Sequence, residues 1–229
     1  PFLGAQFLTP GVSGIVVASL SWILFPLVRD QLPSLPLSQM ANVALFLKET
    51  FLGMLMGFVV AIPFWVTTSV GFLIDNQRGS GMASGSDAIA GDESSPLGMI
   101  LTRAFLAVFL ATGGLRALLG LLYESYSFWP IFSFFPQLGP TFLQLVLDRA
   151  DYIAELTFLL AAPLSVILFL SDLGLGLMNR FTPQLNVFVL SMAVKSGLAS
   201  FLLLFYLHTL FEFMNKEWAD SVEFVHKLG

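Results

Sequence analysis

Asp172 and Lys195 are ionisable residues in otherwise apolar stretches, on either side of a Thr182-Pro183 turn. An ionised group on an apolar helix is costly unless it is paired or marks a pathway. Asp172 precedes Pro183 by eleven positions and Lys195 follows it by twelve. In an antiparallel helical hairpin both would lie about 17 Å from the turn, at 1.5 Å per residue. They are expected to pair across the hairpin, either as a structural ion pair that fixes register or as part of an ion or proton pathway.

Other groups give less to work with. Ser191 lies one helical turn before Lys195, a spacing that suits a Ser/Lys nucleophile pair. Serine in membrane helices more commonly bonds to backbone or to a neighbouring helix. His208 and His226 are eighteen residues apart and match no metal-ligand spacing such as H-E-x-x-H; His208, on an apolar helix, is expected to be packed or interfacial. The chain has no cysteine, which excludes disulfides, thiolate metal sites and cysteine nucleophiles. Gly53-x-x-x-Gly57 and the Leu173-Gly174-Leu175-Gly176 patch permit close helix approach. No G-K-[ST] follows either, so neither is a phosphate loop. The residues imply no catalytic group, no metal and no cofactor, and a net charge of −5 without a Lys/Arg cluster argues against nucleic acid as a partner.

The elements that must position these residues are helices. Of 229 residues, 56% are apolar and 11% charged, against about 25% charged in soluble domains. The expected fold is all-α, with polytopic membrane-type hairpins kinked at prolines. Charge-poor runs predict helices over 12–28, 50–74 with a kink at Pro63, 97–122 carrying Arg103 and Arg116, and 156–178 with a bend at Pro163. Residues 123–140, with Trp129 and three prolines, read as an interfacial loop or broken helix, and 148–155 as a polar helix start. Thr182 is expected to cap the next helix, with Pro183 at its first position. That helix runs to about Phe211. Residues 211–229 then read as an amphipathic helix with Phe211, Met214, Trp218, Val222 and Val225 on one face. Cationic loop residues favour a cytoplasmic tail by a small margin, which leaves topology open.

Residues 75–96 change character. Gly, Ser, Asp and Ala dominate, a composition that cannot cover apolar surface and predicts a mobile loop. A loop of that length inside a compact membrane protein is more often functional than a passive link.

Three stretches carry a family resemblance. I-P-F-W (Ile62 to Trp65) runs into G-F-L-I-D-N-Q-R-G (Gly71 to Gly79), and Asn179 to Ser196 reads N-R-F-T-P-Q-L-N-V-F-V-L-S-M-A-V-K-S. Both resemble signature segments of the SctT/FliR family of type III secretion and flagellar export-gate proteins. S-Y-S-F-W-P-I-F-S-F-F-P, from Ser125 to Pro136, is similar to the virulence branch. The signature positions are Asp75, Asn76, Gln77, Arg78, Asn179, Arg180, Pro183, Gln184 and Asn186. The resemblance implies one export-gate domain over 1–229, from which the family's first helix is absent. It implies a structural, non-enzymatic gating subunit that forms an entry pore with SctR and SctS. SctU and other export apparatus proteins would stand around it, and unfolded secreted proteins would pass through.

In this family the loop after D-N-Q-R-G plugs the closed pore. By position that loop is 79–96, comprising Gly79, Ser80, Gly81, Met82, Ala83, Ser84, Gly85, Ser86, Asp87, Asp92, Glu93 and Pro96 among others. The resemblance also implies a bacterial inner-membrane location, with the assembled gate held largely on the periplasmic side within the secretion system base. The alternative from the residues alone is a secondary transporter using Asp172 and Lys195.

Overall fold

Long runs of Leu, Phe, Val and Ala interrupted by few helix breakers favour helices that satisfy every backbone group internally, and the chain is built from such helices. The computed structural model describes residues 9–29, 38–80, 95–133, 142–182 and 186–226. Among these, six helices and no strand are present: α1 Pro10–Arg29, α2 Gln39–Arg78, α3 Pro96–Ala111, α4 Gly114–Phe128, α5 Phe142–Phe181 and α6 Val187–His226. The fold is all-α and membrane-type. α2, α5 and α6 are each 40 residues long, about 60 Å at 1.5 Å per residue. α2 and α5 contain the prolines expected to bend them, Pro63 and Pro163, with helix on both sides.

Several boundaries differ from the sequence reading for local reasons. The helix expected over 97–122 is two helices, because Gly113 adopts a left-handed φ of 84° between α3 and α4. Glycine takes that conformation without steric cost. α4 then continues to Phe128, into the stretch expected to be an interfacial loop or broken helix, and of those two the helix ending before Pro130 fits the second; 134–141 lie outside the described residues. α6 does not stop near Phe211 but runs on to His226. Met214 and Trp218 of the expected amphipathic face are buried and Phe211 is half-buried, whereas the side chains of Val222 and Val225 lie outside those described. Asp75 to Arg78 are not loop but the last turn of α2, and the expected loop residues 81–94 lie outside the described residues.

The chain divides into two compact units. One draws on Pro1–Ile62, Leu110–Val146 and Trp218–Gly229. Its buried side chains include Leu45, Leu52 and Val59, seven residues apart along one α2 stripe, with Leu121 and Trp129. Lys48 on this stripe is buried too. It donates to the carbonyls of Pro130 (3.0 Å) and Ile131 (2.7 Å), and pairs with Glu49 at 2.8 Å. Its ammonium sits 5.5 Å from the Trp129 ring centre, and Trp129 Nε1 donates to the Ser133 carbonyl at 2.9 Å. The Trp-Pro turn is thereby closed by a cation from α2, which suits a segment whose prolines cannot donate.

The other unit comprises Pro63–Phe109 and Leu147–Glu217. Its core is made of stripes at helical spacing: Val66, Val70 and Ile74; Leu101, Phe105 and Phe109; Leu156, Leu160, Leu164 and Leu168. Phe64 meets Phe105 and Phe109 edge-on, with centroids 5.0 and 5.4 Å apart. α2 and α3 cross at Gly71 and Gly98, where a Cβ on Gly71 would overlap the Gly98 backbone. One turn away, the Thr68 and Thr102 hydroxyls bond at 2.7 Å. By contrast, nothing lies within 4 Å of a Cβ added at Gly53, Gly57, Gly174 or Gly176.

We predict that Gly71→Ala lowers the thermal midpoint of the purified protein, with a cost on the order of 1–3 kcal/mol typical of overpacking. Gly57→Ala should leave it unchanged or slightly higher. Equal losses for the two would contradict the close crossing.

Candidate functional site

The end of α2 gathers several polar groups of the second unit at one place. α2 stops because Gly79 takes a left-handed φ of 80° and its amide returns to the Asn76 carbonyl at 3.1 Å. α3 starts at Ser95-Pro96, with serine as the cap and proline at the first helical position. Ser95 Oγ accepts from the Gly98 amide at 2.9 Å. The next free donor, the Leu97 amide, is met by a residue twenty-two positions earlier: it donates to Asp75 Oδ2 at 2.9 Å. Ser95 Oγ donates to the same oxygen at 2.7 Å. Asp75 is 3% exposed. Its other oxygen pairs with Arg78, three residues on. A carboxylate at a helix N-terminus meets both the free amides and the positive end of the dipole.

The same turn is gripped from the other side. Lys195 Nζ donates to the Gln77 carbonyl at 2.7 Å, and lies 3.0 and 3.1 Å from the two carboxylate oxygens of Asp172. The lysine side chain is 11% exposed and the aspartate 45%. Met192, one turn before Lys195, lies against Gly79, 3.4 Å from where a Cβ would stand. The structure therefore brings Asp172, Lys195, Asp75, Arg78 and the Gln77 carbonyl into one neighbourhood.

Other residues singled out from the sequence fall elsewhere. The Asn76 and Gln77 side chains are exposed, as are Asn179 and Arg180 in the last turn of α5. Asn186, and not Thr182, caps α6, through Oδ1 accepting from the Val189 amide at 3.4 Å. Thr182 instead closes α5, donating through its amide and its hydroxyl to the Met178 carbonyl. Pro183 and Gln184 lie outside the described residues, as do Gly81, Met82, Ala83, Ser84, Gly85, Ser86, Asp87, Asp92 and Glu93. Of the expected plug segment, Gly79 and Ser80 close α2 and Pro96 opens α3. The His208 side chain is 90% exposed, which sets aside the packed alternative and leaves the interfacial one.

The family model "Bacterial export proteins, family 1" matches residues 1–221. The chain belongs to that family. It is 40% identical to the Yop proteins translocation protein T of Yersinia pestis over 204 residues, covering 89% of this chain and 76% of that protein. It is 32% identical to the surface presentation of antigens protein SpaR of Salmonella typhimurium over 207 residues, 90% of this chain and 76% of that one. The flagellar biosynthetic protein FliR of Bacillus subtilis is 26% identical over 200 residues, 87% and 77% of the two chains.

In this export-family chain the polar groups near α2 are arranged for holding. Ser191 Oγ donates to the Phe188 carbonyl at 3.0 Å, so its hydroxyl proton is spent on its own helix. The Lys195 ammonium is already occupied by two oxygens of Asp172 and one of Gln77. Among the described residues, no three His, Cys, Asp or Glu side chains gather to hold a metal ion.

Sequence reasoning missed Ser95, Gly98 and Met192. The Ser-Pro pair is a readable helix start. Nothing in the sequence links it to Asp75, because that contact is long-range.

The pair's two members should respond unequally to substitution. Asp172→Ala strands a buried ammonium, at a cost of about 1–3 kcal/mol. Lys195→Met leaves a half-exposed carboxylate and should cost less. The double variant should lose less than the sum, read by thermal denaturation and by yield of the assembled complex. Simple additivity would rule out the pairing.

Proposed function

We propose that this chain is a structural and gating subunit of a type III secretion export gate. It assembles with SctR and SctS into the pore through which secreted proteins enter, with SctU at the cytoplasmic-facing opening. The 79–96 segment plugs the pore when no substrate is present. The observation that carries this reading is apolar surface that the chain does not cover. Gln39–Arg78, Ala150–Phe181 and Val187–Asp220 are each long and apolar enough to cross a membrane, and the broken α3/α4 pair makes up to four such spans. Only 33% of the most apolar window of the second and 17% of that of the third are buried. Phe158, Phe169 and Leu170 on α5, and Phe201, Leu204 and Phe205 on α6, stand exposed. In a member of a bacterial export family, some of whose relatives are named translocation and secretion apparatus proteins, such faces suit neighbouring subunits as well as lipid.

The corresponding location is the bacterial inner membrane, with the assembled gate held toward the periplasmic side. The role is structural and not enzymatic. A transporter reading is disfavoured because the Lys195 ammonium and the Asp172 carboxylate already satisfy each other, with no donor turned to a substrate.

Tagged protein purified from its native membrane should bring SctR and SctS with it in a defined complex. A homogeneous monomer or homodimer without them would contradict the export-gate reading. Deleting part of 81–94, which leaves Ser80 and Ser95 at the α2–α3 junction, should preserve that complex and raise ion leak across the membrane of cells carrying it. Loss of assembly with no leak would refute the plug.

A further inference from the structure

Asp75 to Arg78 form a single helical turn, and two other parts of the second unit are fastened to it by charge. Toward α3, Asp75 Oδ2 receives the Ser95 hydroxyl and the Leu97 amide at 2.7 and 2.9 Å. Toward the α5/α6 hairpin, the Gln77 carbonyl receives Lys195 at 2.7 Å, and Asp172 holds the same ammonium at 3.0 Å. The turn is braced at its end. Ser80 Oγ donates to the Asp75 carbonyl at 3.1 Å, and the Gly79 amide to that of Asn76 at 3.1 Å. Met192 bears on Gly79 from α6.

We propose that this turn is a coupler. The α5/α6 hairpin positions the start of α3 through Lys195, the Gln77 carbonyl and Asp75. Lys195 is then a positioning residue for α3, although the bonds it makes go to α2 and α5.

Stiffness and burial support the coupling. A helical turn closed by its own hydrogen bonds moves as a body, so a shift at the Gln77 carbonyl is felt two residues back at Asp75. Asp75 is 3% exposed and cannot exchange a lost amide partner for water without opening the junction. The Leu97 and Gly98 amides have no earlier turn of α3 to receive them, because free donors are a property of helix starts. They depend on Asp75 and on Ser95, which Asp75 orients. The coupling stands apart from the export reading, since it concerns how this chain transmits displacement whatever the assembly does.

Site-resolved amide hydrogen exchange on the full-length protein in its purified complex tests it. Asp75→Asn should speed exchange at Leu97 and Gly98 by about tenfold, as expected for loss of a buried charged hydrogen bond. Lys195→Met should speed exchange over 192–199 and also, by several fold, at Leu97 and Gly98. The double variant should be no faster at Leu97 than Asp75→Asn alone, because the effect of Lys195 passes through Asp75. Lys195→Arg keeps the charge and the donors, and should restore Leu97 protection. If Lys195→Met loosens 192–199 while Leu97 and Gly98 keep wild-type protection, the coupler is wrong. It is equally wrong if the two single effects sum at Leu97. Should Lys195→Met fail to accumulate, Asp172→Asn weakens the same pair from its exposed end and is read at the same amides, with the same outcomes deciding.

Discussion

A buried carboxylate has to find donors within the protein, and Asp75 finds them at the start of another helix. That requirement organises the second unit. α3 must begin beside the last turn of α2, and the Gly71/Gly98 crossing lets the two backbones approach closely enough for it to do so. The Thr68–Thr102 hydroxyl pair lies one turn further along the same contact. A larger residue at either glycine would push the Leu97 amide away from Asp75, leaving that buried donor unpaired and the carboxylate short of one partner. Packing and electrostatics are therefore not separable contributions at this junction, because each is the condition for the other.

Lys195 places a second demand on the same turn. The ammonium of a lysine whose side chain is 11% exposed needs oxygens, and here they come from a side chain on α5 and from the carbonyl end of α2. A cation at a helix C-terminus and an anion at a helix N-terminus both suit the dipoles they face. The hairpin α5/α6 and the helix α3 thus meet one segment of α2, which accepts from both: a carboxylate toward α3 and a backbone carbonyl toward Lys195. The D-N-Q-R-G block divides its work accordingly: Asp75 and Arg78 act through their side chains, Gln77 through its carbonyl, and Gly79 through its left-handed φ. The Asn76 side chain is exposed.

Part of this is legible from the residues. The all-α fold comes from long charge-poor runs, and the equal depth of Asp172 and Lys195 comes from constant helical rise on either side of one turn. Both are local or near-local properties. The break at Gly113 does have a local signal, the Gly113-Gly114 pair, which a reading by charge-poor length alone passes over. The shift of the α6 cap from Thr182 to Asn186 turns on which of two polar residues near a proline takes the role, and both types cap helices well. By composition Asp75 reads as the first residue of a loop, because aspartate is one of the types that dominate the run up to Pro96. Its true partners, Ser95 and Leu97, lie twenty and twenty-two residues away. No periodicity or spacing rule spans that distance, so the core of the site emerges only in the fold. Likewise Gly53-x-x-x-Gly57 looks like the close-packing motif, whereas the crossing inside this chain uses Gly71 and Gly98, which lie too far apart in sequence to form a G-x-x-x-G pair.

The apolar surface divides unevenly among the long helices, and the division carries meaning. α2 has 61% of its most apolar window buried by the chain itself, against 33% for α5 and 17% for α6. Hydropathy ranks the three alike, because Leu and Phe are equally apolar whether they meet lipid, a neighbouring subunit or their own core. Burial separates them. α2 carries the polar junction, and the α5/α6 hairpin reaches it through Lys195 and the Gln77 carbonyl while leaving many of its apolar side chains exposed. Lys195–Asp172, Tyr206 to the Leu160 carbonyl and Tyr152 to Glu217 are contacts that fix the hairpin itself. Such a hairpin is directional on its inner side and non-specific in chemistry on its outer side. Its register is set by those few inner contacts, and its outer face is completed only by what surrounds it.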